Sequence, residues 1–260
     1  MLTPRDPSKD FPFWLVAVGL LIGGAYAAIL LDDGARQILA TLRQGVWITV
    51  LVTVVSFAGA SLLGLGLALM SLSRSVVLRQ ASRFYVEIIR GIPILVLLLY
   101  VAFVLAPAMV AGWNALGLPE IRTRDFPLLW RAVTALIIAY SAFIAEVFRA
   151  GLQSVDRGQI EAAQALGLRR WHRFRHVVLP QAVRTILPPL GNDFVAMVKD
   201  SSLVSVVGVL DIAQLGKVTA AGNFRYFETY NVVALLYLTM TVALSLALRR
   251  LERRLDARKA

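Results

Sequence analysis

The 260-residue chain has no cysteine. That excludes disulfides, thiolate metal sites and a thiol nucleophile, and leaves the redox compartment unread. Histidine is almost missing. The two present, His172 and His176, stand four apart in a basic stretch with no acidic residue close by, which is poor company for a metal. Also absent are a glycine-rich phosphate loop ending in Gly-Lys, a His-Glu-x-x-His pair and a Gly-x-Ser-x-Gly elbow. Nothing in the chain marks it as an enzyme. Acidic residues are scarce, 16 against 27 Lys and Arg, for a formal charge of +11. Long polar tracts are scarce too.

What remains is apolar. The chain is 58% hydrophobic, with a mean hydropathy of +0.70, more than a soluble domain of this size needs. A bilayer core takes about 20 apolar residues per helix. Six stretches qualify: 13–31, 46–72, 92–113, 127–149, 182–202 and 231–248. The first starts too far in, and lacks the small-residue cleavage site, for a signal peptide. The expectation is an all-α polytopic membrane protein with about six spans and little outside the membrane.

The positive charge follows the spans. Residues 1–12, 73–91, 149–184 and 249–260 hold two, four, seven and six Lys or Arg, nineteen in all. The alternate segments 32–46, 114–131 and 211–230 hold two, three and two. One more, Lys199, lies within a span. Basic loops stay cytoplasmic during insertion, so both termini and the 149–184 loop are expected inside, and six spans satisfy that parity. The charge therefore reports topology and contact with anionic lipid, and no nucleic-acid partner is expected.

Several local features suggest packing or chemistry. "GASLLGLGLA" (59–68) sets Gly59, Ala60, Ser61, Gly64 and Gly66 in one span, a composition that lets helices approach closely. In "YVEIIRGIPILVLLLY" (85–100), Glu87 and Arg90 can pair on one helix face, and Gly91 and Pro93 then break or restart the helix. Glu146 and Arg149 repeat the spacing. An intramembrane carboxylate is costly, so Glu146 is either functional or held by Arg149 at the boundary. Asn192, Asp193, Lys199 and Asp200 form a polar stripe, since 192/199 and 193/200 are each seven apart. Such a stripe must face protein or water, as a transport path or as glue between helices. A crossing that starts near Ala182 ends near Ser202 and leaves "LVSVVGVL" as an interfacial or re-entrant piece. Pro188 and Pro189 should distort the helix beneath the stripe.

The most basic stretch, "EAAQALGLRRWHRFRHVVLP" (161–180), sits in the middle of this oil. Residues 159–167 are strong helix formers up to Gly167, which suits a left-handed stop. Residues 168–178 suit a second short helix, ended by Leu179-Pro180 because the residue before proline avoids helical geometry. The pattern fits a knob that an outside protein can grip. It equally fits an amphipathic helix on lipid headgroups, using Arg169, Arg170, Trp171, Arg173 and Arg175.

This stretch resembles the EAA loop of ABC-importer permeases. That pattern is Glu-Ala-Ala, three residues, Gly, nine residues, an aliphatic, one residue, then Leu-Pro. Glu161, Ala162, Ala163, Gly167, Val177, Leu179 and Pro180 fall at its spacing. "VEIIRGIPILVLLLY", "AFIAEVFRAGLQSVDRGQIEAAQALG", "VVLPQAVRTILPPLGND" and "VKDSSLVSVVGVLDI" extend the resemblance to the polar amino acid subfamily of histidine/glutamine/arginine-type permeases. It covers roughly residues 44–251. Ile92 and Ile94 depart from the usual Thr and Leu, and the tract from Arg169 to Arg175 is unusually rich in arginine.

The resemblance implies a division of the chain and a mechanism. Residues 1–43 would be a cytoplasmic tail, an extra helix and an outer link. Residues 44–251 would be the five-helix permease domain of a type I importer, and 252–260 a basic cytoplasmic tail. The chain would work in a prokaryotic inner membrane with a second permease, identical or related. Two cytoplasmic ABC ATPase subunits would dock on the EAA loops, and a periplasmic or lipid-anchored binding protein would deliver an amino acid or close relative. No cofactor would bind this chain; ATP and Mg would sit on the partner ATPase. Gln159, Glu161, Ala162, Ala163, Leu166, Gly167, Leu179 and Pro180 would form the coupling loop. Polarity and helix face select Tyr100, Ser141, Glu146, Asn192, Asp193, Met197, Lys199 and Asp200 for the solute path. A stand-alone secondary transporter or channel would instead need inverted repeats and ion-coupling carboxylates, and no internal repeat is visible.

Overall fold

A computed structural model describes residues 13–256, with side chains to 253. The expected N-terminal tail (1–12) and residues 257–260 of the expected C-terminal tail (252–260) lie outside the described residues, and 252–256 continue the last helix. Within them every element is helical. Helix α1 (Phe13–Leu31) ends in a one-residue corner at Asp32. Its extended backbone and its carboxylate, which accepts Ala35 N–H at 2.6 Å, start α2 (Asp33–Ser71) at once. That bond, and Arg225 3.4 Å away, hold the Asp32 carboxyl below its ordinary range.

The outer link read at 32–46 is therefore no separate segment. It is the first third of a 39-residue helix about 58 Å long. Its residues are good helix formers, and Ala35, Ile38 and Leu42 are buried along one face. Ile38 and Leu42 pack with Ile212, Val232, Val233 and Leu236. Tertiary burial thus extends the helix past the point where apolar content falls.

Helix α3 (Val76–Gly91) stops at Ile92, which takes the extended conformation that a following proline imposes. Pro93 then opens α4 (Ile94–Tyr100). A widened π turn (Val101–Leu105) links α4 to α5 (Ala106–Ala115). The most buried helix, α6 (Leu128–Gln153), crosses α2 at the small-residue tract. A Cβ on Gly64 would come within 3.0 Å of Ser141 O and Ile144 Cγ2, the close approach that the tract's composition predicts.

The basic segment forms α7 (Arg157–Ala165), α8 (Arg170–Arg173) and a second π turn (Phe174–Val178) that runs directly into α9 (Leu179–Asp200). This corrects one expectation: Leu179-Pro180 does not end a helix. Leu179 stays helical, and its N–H reaches back five residues to Phe174 O. The wider turn takes up the N–H that proline lacks and the bulk of its ring. The turn before Pro107 follows the same plan, with Ala106 N–H on Val101 O. Pro188 and Pro189 lie inside α9, which continues through them.

After α9 comes a 3-10 stretch (Ser201–Val207), Gly208 at φ 85°, then α10 (Ile212–Asn223) and α11 (Tyr226–Asp256). A Cβ on Gly191 would meet Leu248, Lys199 lies beside Thr241 and Ser245, and Asp211 reaches Tyr237. The chain from 191 to 211 therefore climbs along α11. The 3-10 stretch places Val204 and Val207 in the main core with Leu136 and Ala132. It is packed into the main core in continuity with α9. Among the described residues, five helical stretches are long and apolar enough to cross a membrane: α1, α2, α4 through α5, α6 and α11. The sixth span read from sequence corresponds to α9, whose Arg184, Asp193, Lys199 and Asp200 dilute its apolar content.

Candidate functional site

Two sites emerge from this frame: the knob formed by α7 and α8, and the polar face of α9. Asp156 builds the knob's first corner. Its Oδ1 accepts the Gly158 and Gln159 N–H groups at 2.6 and 3.4 Å, capping α7. At the far end Gly167 sits at φ 75°, a left-handed conformation that glycine adopts without strain, and Leu168 N–H closes on Ala163 O at 3.1 Å. Between them the signature residues divide by face. Ala163 is buried, and Ile160, one turn earlier, packs against a small apolar cluster of Val155, Ala182 and Ile186 together with Val178. Gln159, Glu161 and Ala162 are exposed, as are Leu179 and Pro180. Leu166 is 82% exposed, a large apolar side chain left open at the knob's tip.

The knob is braced to the membrane body. Gln181 Nε2 on α9 donates to Gln159 Oε1 at 2.5 Å, and Arg173 Nη1 donates to Gln164 Oε1 at 3.1 Å. Trp171 stacks on Phe174 at 6.0 Å, and the His172 and His176 rings lie parallel at 6.0 Å. The Gln159–Gln181 bond thus links α7 to α9. Asp156→Ala is expected to remove the cap at a cost of about 1 kcal/mol. Hydrogen exchange should then show faster exchange across 157–160, with α6 and α9 unchanged.

The polar residues of α9 do not form one stripe. Asp193 and Asp200 face α6: Tyr140 OH donates to Asp200 Oδ2 at 2.7 Å, and Asp193 Oδ2 is buried with no partner among the described residues. Asn192 and Lys199 lie about 100° around the helix and are exposed. Lys199 opens into a cavity beside α1 and α11. Tyr100 is 53% exposed, whereas Ser141 and Met197 are wholly buried. Ser141 lies 2.9 Å from Tyr85 OH, and Met197 packs in the main core. Neither offers a surface to a solute in this conformation.

Glu146 is held by Arg149, at 3.1 Å from Nε and 2.5 Å from Nη2, and Gln153 accepts a further bond from Arg149 at 3.0 Å. Arg90 does not close on Glu87; its guanidinium lies 5.6 Å from the Phe143 ring centroid. These groups, with Arg83 and Ser82, line a polar cavity of about 350 Å³ between α3 and α6.

Sequence reasoning missed Asp211. It is fully buried, caps α10 through Gln214 N–H at 2.8 Å and accepts Tyr237 OH at 2.9 Å. The signal was present: Asp followed three residues later by Gln is a helix-start pattern.

Comparison with known proteins identifies the family. Residues 60–260 match the family model described as binding-protein-dependent transport system inner membrane component. A probable amino-acid permease protein of Bacillus subtilis (strain 168), YxeN, is 36% identical over 219 residues, covering 82% of this chain and 90% of that protein. The glutamine transport system permease protein GlnP of Escherichia coli (strain K12) is 36% identical over 214 residues, covering 82% and 92%. Among solved structures, one described as an amino acid ABC transporter with histidines superposes with a TM-score of 0.71 at 37% identity, over 83% of this chain and 94% of that one. The family match extends over most of the chain, and the chain belongs to the binding-protein-dependent transport system inner membrane components, as a membrane-embedded permease subunit of an ABC importer.

Proposed function

We propose that the chain imports a polar amino acid or a close relative by alternating access, and that α7 carries the closure of a partner ATPase into α9. The observation that carries this reading is the brace between knob and span: the Gln159–Gln181 bond, and Ile160 of α7 packed against the Val155–Ala182–Ile186 cluster, tie α7 to α9. An amino-acid solute is supported by the relatives, described as amino-acid and glutamine permeases. In this reading Glu161, Ala162 and Leu166 seat in a groove of the ATPase, with ATP and Mg held on that subunit. A second permease, identical or related, completes the path, and a solute-binding protein loads it from outside. The basic segments support a cytoplasmic side for both termini and the knob. No nucleic acid takes part.

The solute's charged ends need opposite charges or dipoles near the middle of the membrane. Asp193, with an unsatisfied buried oxygen, and its neighbour Asn192 supply them, with Tyr100 and Asp200 as further candidates. The test is uptake of a panel of labelled amino acids by cells that also express the ATPase and binding protein. Asp193→Ala is expected to weaken half-saturation for the true solute about tenfold, since hydrogen bonds to charged groups are worth about 1.5–3 kcal/mol. Unchanged half-saturation in both the Asn192→Ala and Asp193→Ala permeases would count against this path.

A further inference from the structure

Lys199 belongs to a span, yet none of the ion pairs among the described residues involves it. Its neighbour Asp200 turns to Tyr140 on α6. Lys199 turns the other way, into a cavity of about 260 Å³ lined also by Trp14, Val195, Thr241, Ser245 and Arg249. Arg249 is the second cation here, its guanidinium 4.7 Å from the Trp14 ring centroid. No carboxylate lines the cavity. Thr241 donates its proton to Tyr237 O at 2.8 Å and keeps its hydroxyl beside the space, and Ser245 adds another. Two cations and two hydroxyls thus converge on one opening with no counter-charge from the described chain. A cation inside a bilayer needs an anion or water opposite it.

The position of the opening selects the anion. It lies between α1, α9 and α11, away from the α6-facing Asp193 and Asp200. Helix α1 buries none of its residues within the described chain, so the cleft beside it is reachable from the apolar outside of this subunit. Val242 and Leu246 continue its walls in apolar surface. Arg249 lies one helical turn beyond Ser245, toward the end of the bundle that carries the knob, and the methylene stem of Lys199 lets its ammonium lean the same way. An anion with an apolar body fits this geometry better than a small free one.

We propose that this cavity is a binding site for an anionic phospholipid of the leaflet nearest the knob. The headgroup phosphate sits between Lys199, Arg249 and Ser245, and the acyl chains lie along Val195, Leu246 and α1. The site gives α1, all of which precedes the matched family region, a role as a wall that retains lipid. It does not depend on which solute the permease carries.

The experiment purifies the permease with its ATPase in mild detergent and measures co-purified phosphatidylglycerol and cardiolipin by mass spectrometry. The wild type is expected to retain anionic lipid. Lys199→Gln and Arg249→Gln should each lower retention about fivefold, the worth of one basic residue at an anionic surface. Ser245→Trp keeps both cations but fills the cavity, and should lower retention as much; its elution profile in gel filtration checks folding independently of charge. Equal retention in all four proteins overturns the proposal. So does release of the lipid by inorganic phosphate or by an amino acid, which would make the site one for a small free anion. Lys199→Gln protein that keeps its lipid but loses solute affinity would return Lys199 to the transport path.

Discussion

Glu161→Lys is expected to cut amino-acid uptake about thirtyfold or more while the permease still inserts, folds and keeps its thermal stability. Glu161 is exposed on α7 and forms no ion pair within the described chain, so its loss costs the isolated subunit little. Its effect appears only in the complex. Reversing a charge at a docked interface costs about 2–5 kcal/mol, and the lower figure alone is about thirtyfold. Gly167→Val should give the same phenotype by a different route. At φ 75° a β-branched residue is strained, and the corner that aims α8 would reopen. Co-purification of the ATPase with each variant is the measurement that separates causes. Lost capture with normal insertion identifies the knob as the power coupling. Uptake that persists in cells lacking the ATPase would refute the importer mechanism and turn attention to the α9 carboxylates.

The knob was legible because its chemistry is local. A run of strong helix formers, a glycine stop and a fixed spacing all lie within about twenty residues, and the left-handed Gly167 closes off α7 just past Ala165, as those rules require. The spans were legible for the same reason, since apolar length needs no partner to be read. What sequence could not supply was depth and facing. Asn192, Asp193, Lys199 and Asp200 look like one stripe on a seven-residue repeat. Yet adjacent positions differ by about 100°, and only the neighbouring helices decide which pair meets α6 and which meets α1. The continuation of α2 through 33–45 depends on Ile212 and Val232, nearly two hundred residues away. The π turns before Pro107 and Pro180 are likewise answers of the assembled helix to a local rule. Proline argues for an end, and packing on both sides argues for continuity.

The structural change with the largest expected effect lies far from the knob, at Gly45. A Cβ there would stand 2.6 Å from Ile212 N, 2.7 Å from Asp211 C and 2.9 Å from Asp211 O. All three are backbone atoms, so no side-chain rotation relieves the clash. Nor can the backbone retreat easily. Asp211 is fixed by Gln214 N–H at 2.8 Å and Tyr237 OH at 2.9 Å, and Ile212 N–H reaches Thr49 Oγ1 at 3.4 Å. Thr49 in turn donates to Gly45 O at 3.0 Å, which closes the loop of contacts. Overpacking in such a place costs about 1–3 kcal/mol and occasionally more. Gly66, in the same helix, has nothing within 4 Å of its would-be Cβ. Gly66→Ala should therefore be neutral or stabilising by up to about 1 kcal/mol. The two alanines insert one methyl each into one helix, so helix propensity cancels between them and the remainder is the clamp. Thermal unfolding in detergent should place Gly45→Ala several degrees below Gly66→Ala. Matching midpoints would mean that α10 is free to move away from α2, and that Asp211 is a cap for its own helix and not a fastener between helices.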